Sequence, residues 1–216
     1  MINKILILSL LLLPVLVFAQ DPLRFEKEIK VFEKNDSING PKKKVNLFIG
    51  SSTIRRWDNL ANYFPGAMVL NRGFGGSHTS DAIHFAERIV GKHKPVQVLV
   101  YEGDNDIASG KPVEQVYNDL ITFISALRTM HKKAVITYIA VKPSPARMKY
   151  LPQVKELNEK MKQYALANRK IQYADVFTPM LNELGRPIPS LYVSDSVHLT
   201  KQGYDVWAHA LKGYIK

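Results

Sequence analysis

Hydrophobic positions along the chain fall into two alternating kinds of segment, and this alternation predicts a repeated order of strand and helix. The first kind is a short, nearly continuous apolar run, which is typical of a strand buried on both faces. Five such runs span residues 45–49, 67–70, 96–101, 134–141 and 171–174. The amphipathic segments predict helices at about 52–63, 79–90, 113–130 and 150–168, with further helices at about 22–34 and 200–214.

Strands that alternate with helices predict a parallel sheet with right-handed crossovers and helices on both faces, a three-layer α/β/α architecture. Five strands suit the flavodoxin-like order 2-1-3-4-5. In that order the first strand lies between the second and the third, so the loops that leave these three strands are neighbours. Ligands bind at this edge of such sheets.

The N-terminal segment predicts a secretory signal peptide and not a part of the fold. Lys4 precedes an apolar run, Ile5 to Phe18, and Ala19 ends a short segment with small residues at the positions that a signal peptidase reads. The run is shorter than the roughly 20 apolar residues of a membrane-spanning helix. We therefore expect cleavage after Ala19, one domain over residues 20–216, a periplasmic or secreted location and no stable membrane insertion; an uncleaved anchor is the alternative.

Composition excludes several kinds of chemistry. The 216 residues include no cysteine, which rules out disulfides, zinc–thiolate sites and thiol nucleophiles. The formal net charge is +11, but the basic residues are scattered and no nucleic-acid motif accompanies them. We expect solvated basic surfaces and no nucleic-acid partner; attraction to an anionic cell envelope or polysaccharide is the alternative.

Polar and glycine-rich blocks follow the first three strands, and a fourth block lies near the C-terminus. Ser52 and Gly76 are 24 residues apart, and Gly76 and Asn105 are 29 apart; each spacing is about one strand–helix–strand unit. We therefore expect these blocks at the same edge of the sheet. The four blocks are Gly50-Ser51-Ser52-Thr53, Asn71 to His78, Gly103-Asp104-Asn105-Asp106 and Asp195-Ser196-Val197-His198.

These four blocks resemble those of the SGNH (GDSL-type) hydrolases, a superfamily of esterases and lipases. The likeness covers nearly the whole chain after the signal, and with residues 142–147 it is closest to the platelet-activating-factor-acetylhydrolase-like branch. It implies that Ser52 is the nucleophile, that His198 is its general base and then acid, and that Asp195 orients His198. It also implies an oxyanion hole formed by the backbone N–H groups of Ser52 and Gly76 and the side-chain amide of Asn105, with no cofactor.

The chemistry of these residue types agrees with the resemblance. A serine hydroxyl needs a base to become a useful nucleophile, and an asparagine amide donates hydrogen bonds without adding formal charge. The chain departs from the family at Ser51, where an aspartate outside the catalytic set is usual. A classical α/β-hydrolase is disfavoured because the Gly-x-Ser-x-Gly elbow is absent.

Other interpretations of the same residues remain open. Ser52 could be only a helix N-cap, and the glycines after the second strand could form only a turn. A dinucleotide-binding fingerprint is disfavoured because its third glycine would fall at His78, for which we favour a local structural role. Arg72 and Arg147 are candidates for substrate binding, with surface ion pairs as the alternative. The histidines show no ligand spacing, so we expect no metal site.

The sequence thus predicts a serine esterase that cleaves carboxylic esters through an acyl-serine intermediate. The expected substrates are small-molecule or polysaccharide esters, with short acyl groups on carbohydrate or lipid-derived alcohols. An O-acyltransferase with the same site, a lysophospholipase or lipase, and a non-catalytic envelope-binding module are the alternatives.

Overall fold

Five parallel strands form one sheet, in the order β2-β1-β3-β4-β5. The computed structural model describes residue 21 and residues 23–216, so the predicted signal peptide lies outside the described residues. The strands are β1 (Lys43–Gly50), β2 (Val69–Gly73), β3 (Lys94–Tyr101), β4 (Val135–Ile139) and β5 (Ile171–Ala174). Strand number, direction and order confirm the predicted fold class.

The described helices cover both faces of the sheet. They are α1 (Glu26–Asn39), α2 (Ser52–Arg55), α3 (Leu60–Tyr63), α4 (Thr79–His84), α5 (Ala86–Val90), α6 (Asp104–Ala108), α7 (Val113–Met130), α8 (Leu151–Ala167) and α9 (Lys201–Leu211). Short 3₁₀ turns precede α8, at Pro145–Tyr150, and follow α9, at Lys212–Tyr214.

Each strand contributes to two hydrophobic cores, because successive side chains of a strand point to opposite faces. In β1, Leu47 and Ile49 pack with the core under α1, α4, α5, α7 and α8. Phe48, between them, packs with the core under α2, α3 and α9. All three side chains are fully buried. Because both faces of the sheet are covered, the strand sequences are nearly continuous runs of apolar residues.

The predicted helix at 52–63 is in fact two short helices, and this expectation was wrong. The chain leaves the helical conformation after α2, and Asn59 adopts a left-handed backbone with φ of 54°. The break allows Trp57 to enter the core, where its ring lies 5.1 Å from the ring of Tyr204 and 5.9 Å from that of Trp207.

Two other helix boundaries also differ from the predictions. The helix predicted at 79–90 is interrupted at Phe85, which is fully buried. The N-terminal helix begins and ends later than the predicted 22–34, and it stops where Gly40 takes a φ of 67°. The Gly40 N–H donates to the carbonyl of Asp36, which closes the last turn.

The end of β1 brings three loops to one edge of the sheet. Gly50, its last residue, pairs with Gly73 of β2 and with Tyr101 of β3. Both glycines are required by close approach of neighbouring backbone. A Cβ on Gly50 would lie 2.5 Å from the Tyr101 carbonyl oxygen, and one on Gly73 would lie 2.2 Å from the backbone nitrogen of Arg55.

Candidate active site

Ser52 begins α2, immediately after the central strand β1. Its hydroxyl Oγ lies 2.8 Å from Nε2 of His198. Ser51 precedes it as the N-cap residue of α2 and is only 3% exposed. The two adjacent serines are therefore distinguished by geometry, since it is Ser52 whose hydroxyl meets the histidine.

Asp195 holds the other side of the histidine ring. Its Oδ2 lies 2.6 Å from Nδ1 of His198, and its Oδ1 accepts hydrogen bonds from the backbone N–H groups of Val197 and His198, each at 2.9 Å. A left-handed Ser196, with φ of 57°, turns the chain tightly enough for these contacts. With Nδ1–H donating to the carboxylate, Nε2 is left to accept the proton of the Ser52 hydroxyl.

The pKa of Asp195 is held well below its usual range. Partial burial raises this pKa, but the hydrogen bonds from the backbone and ring of His198 and from the Val197 N–H lower it by more. Arg56 adds a cation at the surface, with Nη1 3.7 Å from Asp195 Oδ2. The carboxylate is therefore ionised when the histidine ring needs an acceptor for its Nδ1 proton.

The amide of Asn105 lies at the same edge of the sheet, on the second residue of α6. Its Nδ2 donates to the carbonyl of Ser77 at 2.9 Å. A side-chain amide carries two N–H bonds, so a second donor is available to a ligand. A Cβ placed on Gly76 would lie 3.9 Å from Nδ2, so the Gly76 backbone adjoins this donor. Ser52 contributes an N–H at a helix start, where no partner within the helix exists.

Arg147 fixes the orientation of the Asn105 amide. Its Nη2 donates to Asn105 Oδ1 at 3.0 Å, and its Nη1 contacts Asp104 Oδ1. The side chain is 21% exposed. Since the guanidinium carries donors alone, its partner on Asn105 must be the oxygen, and the nitrogen is thereby directed to the other side. The structure brings Arg147 to the site, in contact with protein groups.

A buried ion cluster lies beneath this pair. Asp104 Oδ2 accepts from Lys142 Nζ at 2.7 Å and from the Tyr101 hydroxyl at 2.9 Å. Lys142 is fully buried. Burial raises the pKa of Asp104, but the charges of Lys142 and Arg147 more than offset this, and the pKa lies well below its usual value.

A second set of buried acids supports the loop that carries Gly76 and Ser77. Ser77 Oγ donates to Glu102 Oε1 at 2.6 Å, and burial raises the pKa of Glu102 well above its usual range. Asp106 accepts from the backbone N–H of Thr79 at 3.0 Å and from Lys111 at 2.6 Å. Sequence reasoning missed the roles of Glu102 and Asp104, although acidic residues directly after a buried strand were a usable signal.

Arg72 does not reach the site, which corrects the hypothesis that it binds substrate. It is 2% exposed, and its guanidinium contacts Asp36 and His93 under α1. The preceding residue, Asn71, points the other way and donates from Nδ2 to the Ile54 carbonyl at 2.6 Å. Because side chains alternate along β2, Asn71 lies on the face of the sheet that carries α2, and Arg72 lies on the opposite face.

His78 contributes to the start of α4. It is the N-cap residue there, and its backbone N–H donates to Asp81 Oδ2 at 2.8 Å. Within the described residues, no group of three or more histidine or acidic side chains could hold a metal ion. No described helix is both long enough and apolar enough to cross a membrane.

The sheet order and the site at its carboxyl edge define an α/β hydrolase fold of the SGNH class. Residues 48–206 match the family model of the GDSL-like lipase/acylhydrolase family. The chain therefore belongs to this family and is an ester-hydrolysing enzyme, which confirms the family and the class of activity expected from the sequence. A comparison with curated protein sequences gives no significant match.

Solved structures share the fold at low sequence identity. A Streptococcus pneumoniae protein provisionally described as a platelet activating factor has a TM-score of 0.80 and 20% identity, over 88% of this chain and 92% of that one. A Bacteroides fragilis protein provisionally described as an acylhydrolase has a TM-score of 0.76 and 20% identity, over 91% and 97%. A GDSL-like lipase from Bacteroides thetaiotaomicron has a TM-score of 0.70 and 19% identity, over 86% and 96%.

Proposed function

We propose that this enzyme hydrolyses carboxylic esters through an acyl-serine intermediate on Ser52. One observation carries the proposal: Ser52 Oγ lies 2.8 Å from His198 Nε2, while His198 Nδ1 lies 2.6 Å from Asp195 Oδ2. A nucleophile, a base and a group that orients the base are thus in hydrogen-bonded series. No residue of this series requires a metal or cofactor to act.

The reaction then proceeds in two balanced halves. Ser52 Oγ bonds to the ester carbonyl carbon as its proton moves to His198 Nε2, and the carbonyl oxygen becomes an oxyanion. The backbone N–H groups of Ser52 and Gly76 and the Nδ2 of Asn105 are the donors proposed for that oxyanion. When the carbon–oxygen bond to the alcohol breaks, His198 protonates the alcohol. A water molecule then attacks the acyl carbon of the acyl-serine while His198 takes its proton. His198 returns that proton to Ser52 Oγ as the carbon–oxygen bond to the serine breaks, and the carboxylic acid is released.

Short acyl groups are the substrates that the surroundings of Asn105 favour. The cavity beside Asp104, Lys142 and Arg147 has a volume of only about 10 Å³. Its lining combines apolar side chains with charged groups that are already paired with one another, and the cavity has no room for a long acyl chain. We propose short acyl esters of polar alcohols, whether carbohydrate or lipid-derived, as the substrate class.

Export is a separate part of the proposal. It rests on the basic, apolar and small-residue order of residues 1–19, with cleavage proposed after Ala19. Intact-mass measurement of the protein recovered from the periplasm and the medium tests it. A species that lacks these residues is expected, whereas a full-length species confined to the cytoplasm would contradict the proposal.

Serine labelling tests the catalytic assignment. A fluorophosphonate should modify Ser52, and Ser52→Ala should lose both the label and the hydrolysis of p-nitrophenyl acetate. The adjacent Ser51→Ala is the matched control and should keep both. Because Ser51 is buried and caps α2, the thermal midpoint of each variant is measured in parallel. Peptide mass spectrometry that places the label on Ser51 would overturn the assignment.

A further inference from the structure

An open groove of about 570 Å³ lies beside the catalytic aspartate, between the α2–α3 segment and the start of α9. Its volume lies within the range of about 300–1,000 Å³ that is usual for small-molecule sites. Apolar and polar side chains share its lining: Leu199 and the rings of Tyr63 and Tyr204 lie beside Arg56, Asp58, Asn62, Lys201 and Asp205.

The groove adjoins the histidine side of the site. Arg56, which lines it, lies 3.7 Å from Asp195, and Leu199, which also lines it, directly follows His198. In ester cleavage the general acid must reach the departing alcohol oxygen, so the alcohol lies on the side of His198. The groove therefore lies next to the His198–Asp195 pair, where the alcohol part of a large ester would extend.

The charges of the groove balance. Its two cations, Arg56 and Lys201, face two carboxylates, and Lys201 Nζ already pairs with Asp205 at 3.0 Å. A phosphate or carboxylate ligand would meet as many negative as positive groups. A neutral ligand with many hydroxyl groups can hydrogen-bond to the four charged groups and to the Asn62 amide without disturbing their charge balance.

Tyr63 supplies an aromatic surface in the same groove. Its ring packs edge-on against the buried Trp57, with ring centroids 5.5 Å apart, and remains partly exposed. An aromatic ring that is braced on one side and exposed on the other offers an apolar body next to polar groups. A sugar ring has the same two properties, with C–H groups on its faces and hydroxyl groups around its edge.

We propose that this groove is the subsite for the alcohol part of the substrate and that it binds a neutral carbohydrate. The proposal rests on the proposed esterase function and adds the chemistry of the alcohol to it. It assigns recognition of the sugar to side chains on α3 and α9, outside the residues that react with the ester.

Two acetate esters of matched shape test the subsite. Methyl 6-O-acetylglucoside and cyclohexylmethyl acetate both release acetate from a primary alcohol on a six-membered ring, and they differ in the ring oxygen and the ring substituents. We expect kcat/KM to be at least about tenfold higher for the sugar ester, because several hydrogen bonds contribute to its binding. Acetate release is measured for both, with p-nitrophenyl acetate as the general esterase substrate.

Groove variants with matched controls locate the effect. Asn62→Ala should reduce the ratio of the two kcat/KM values about 2- to 10-fold, as expected for one lost hydrogen bond. Tyr63→Leu should reduce it further. Asn118→Ala and Tyr117→Leu, on the distant α7, are the controls and should leave the ratio unchanged. Asn62 is exposed, so its variant stays informative even where Tyr63→Leu destabilises the fold.

The outcomes separate the subsite from the esterase. An enzyme that prefers cyclohexylmethyl acetate, or whose ratio is unaffected by both groove variants, overturns the subsite while hydrolysis of p-nitrophenyl acetate still supports the esterase. Calorimetric binding of methyl 6-O-acetylglucoside to Ser52→Ala gives a readout without turnover. Binding that Asn62→Ala weakens supports the subsite even if the wild-type protein hydrolyses no ester, which would overturn the esterase alone.

Discussion

Asn105 is held at both ends of its side-chain amide. Arg147 donates to Oδ1 at 3.0 Å, and Nδ2 donates to the Ser77 carbonyl at 2.9 Å. Arg147 is itself anchored by Asp104, whose second oxygen binds the buried Lys142. The ion cluster therefore determines which way the amide points, and a preorganised donor is worth more to a developing oxyanion than one that must rotate into place.

We predict that Asn105→Ala lowers kcat about 10²- to 10³-fold with little change in KM, as expected for a donor that acts in the transition state. Arg147→Ala should lower kcat by a smaller factor, also with little change in KM. The Asn105 amide is still present in this variant, but it is less well oriented. Steady-state kinetics with p-nitrophenyl acetate measures both effects.

The double variant distinguishes positioning from a separate role for Arg147. If Arg147 acts through Asn105, the double variant should be no slower than Asn105→Ala alone, since the losses are not additive. Arg147→Lys should recover little activity, because a lysine cannot hold both partners as a planar guanidinium does. Additive losses in the double variant, or a loss confined to KM, would contradict the positioning role.

Single residues differ in how far the sequence could predict them. Ser52, His198 and Asp195 could be named because each stands in a short block with a recognisable order. Arg72 could not be assigned to the correct face, since β2 ends three residues further along than the apolar run 67–70 indicated. The register of β2, and hence the direction of the Arg72 side chain, depends on the pairing of β2 with β1.

At the scale of elements, a glycine and an asparagine hold α2, the helix that begins at Ser52, against β2. A Cβ on Gly73 would lie 2.2 Å from the Arg55 nitrogen and 2.7 Å from the Ile54 carbonyl carbon. Asn71 joins the two elements, because its Nδ2 donates to Ile54 and its Oδ1 accepts from the Gly73 N–H at 2.8 Å. The position of Ser52 thus depends on contacts made by a neighbouring strand.

Gly73→Ala should therefore displace α2 and lower both stability and activity. We expect the free energy of unfolding to fall by about 1–3 kcal/mol or more, the usual cost of overpacking against a fixed backbone. Urea unfolding and kcat/KM are measured together. The control is Gly213→Ala, where an added Cβ would meet nothing within 4 Å. An unchanged stability and rate for Gly73→Ala would show that α2 can move away without loss.

Elements were predictable where one regular pattern decides them. The helix predicted at 113–130 matches α7, whose buried positions repeat with the helical period: Val113, Val116, Leu120, Phe123, Ile124 and Leu127. In the stretch 52–63 the buried positions Ile54, Trp57 and Leu60 also repeat with the helical period, so this pattern could not predict the break after α2. The course of this stretch depends on Trp57 packing against α9, about 150 residues later in the chain.

At the scale of the whole molecule, strand order joins blocks that are distant in sequence. The order β2-β1-β3 could be predicted from the strand–helix alternation, and with it the meeting of Ser52, Gly76 and Asn105. The contact of Arg147 with Asn105 could not, because it depends on the directions of two side chains, which the strand–helix pattern does not give. The sequence therefore predicts the candidate reacting groups, whose catalytic roles stay predictions, and it does not predict the groups that support them.

Acyl-chain preference is a property of the whole molecule, since it depends on what the loops leave open around the site. The cavity beside Arg147 and Pro143 has a volume of about 10 Å³, and the larger groove adjoins Asp195, on the alcohol side. A long apolar acyl pocket would add about 0.8 kcal/mol per buried methylene, or roughly fourfold in kcat/KM. The small cavity beside Arg147 has no room for such a chain.

We therefore predict that kcat/KM for p-nitrophenyl esters is highest between acetate and butyrate and falls by the octanoate. The esters are measured below their critical micelle concentrations. They all release p-nitrophenol, so differences in kcat/KM within the series report the acyl part alone. Ser52→Ala, measured on each ester, subtracts hydrolysis that does not use the site. A value that rises steadily to the decanoate would require an apolar surface beside the oxyanion donors, and it would favour a lipase over an esterase of short acyl groups.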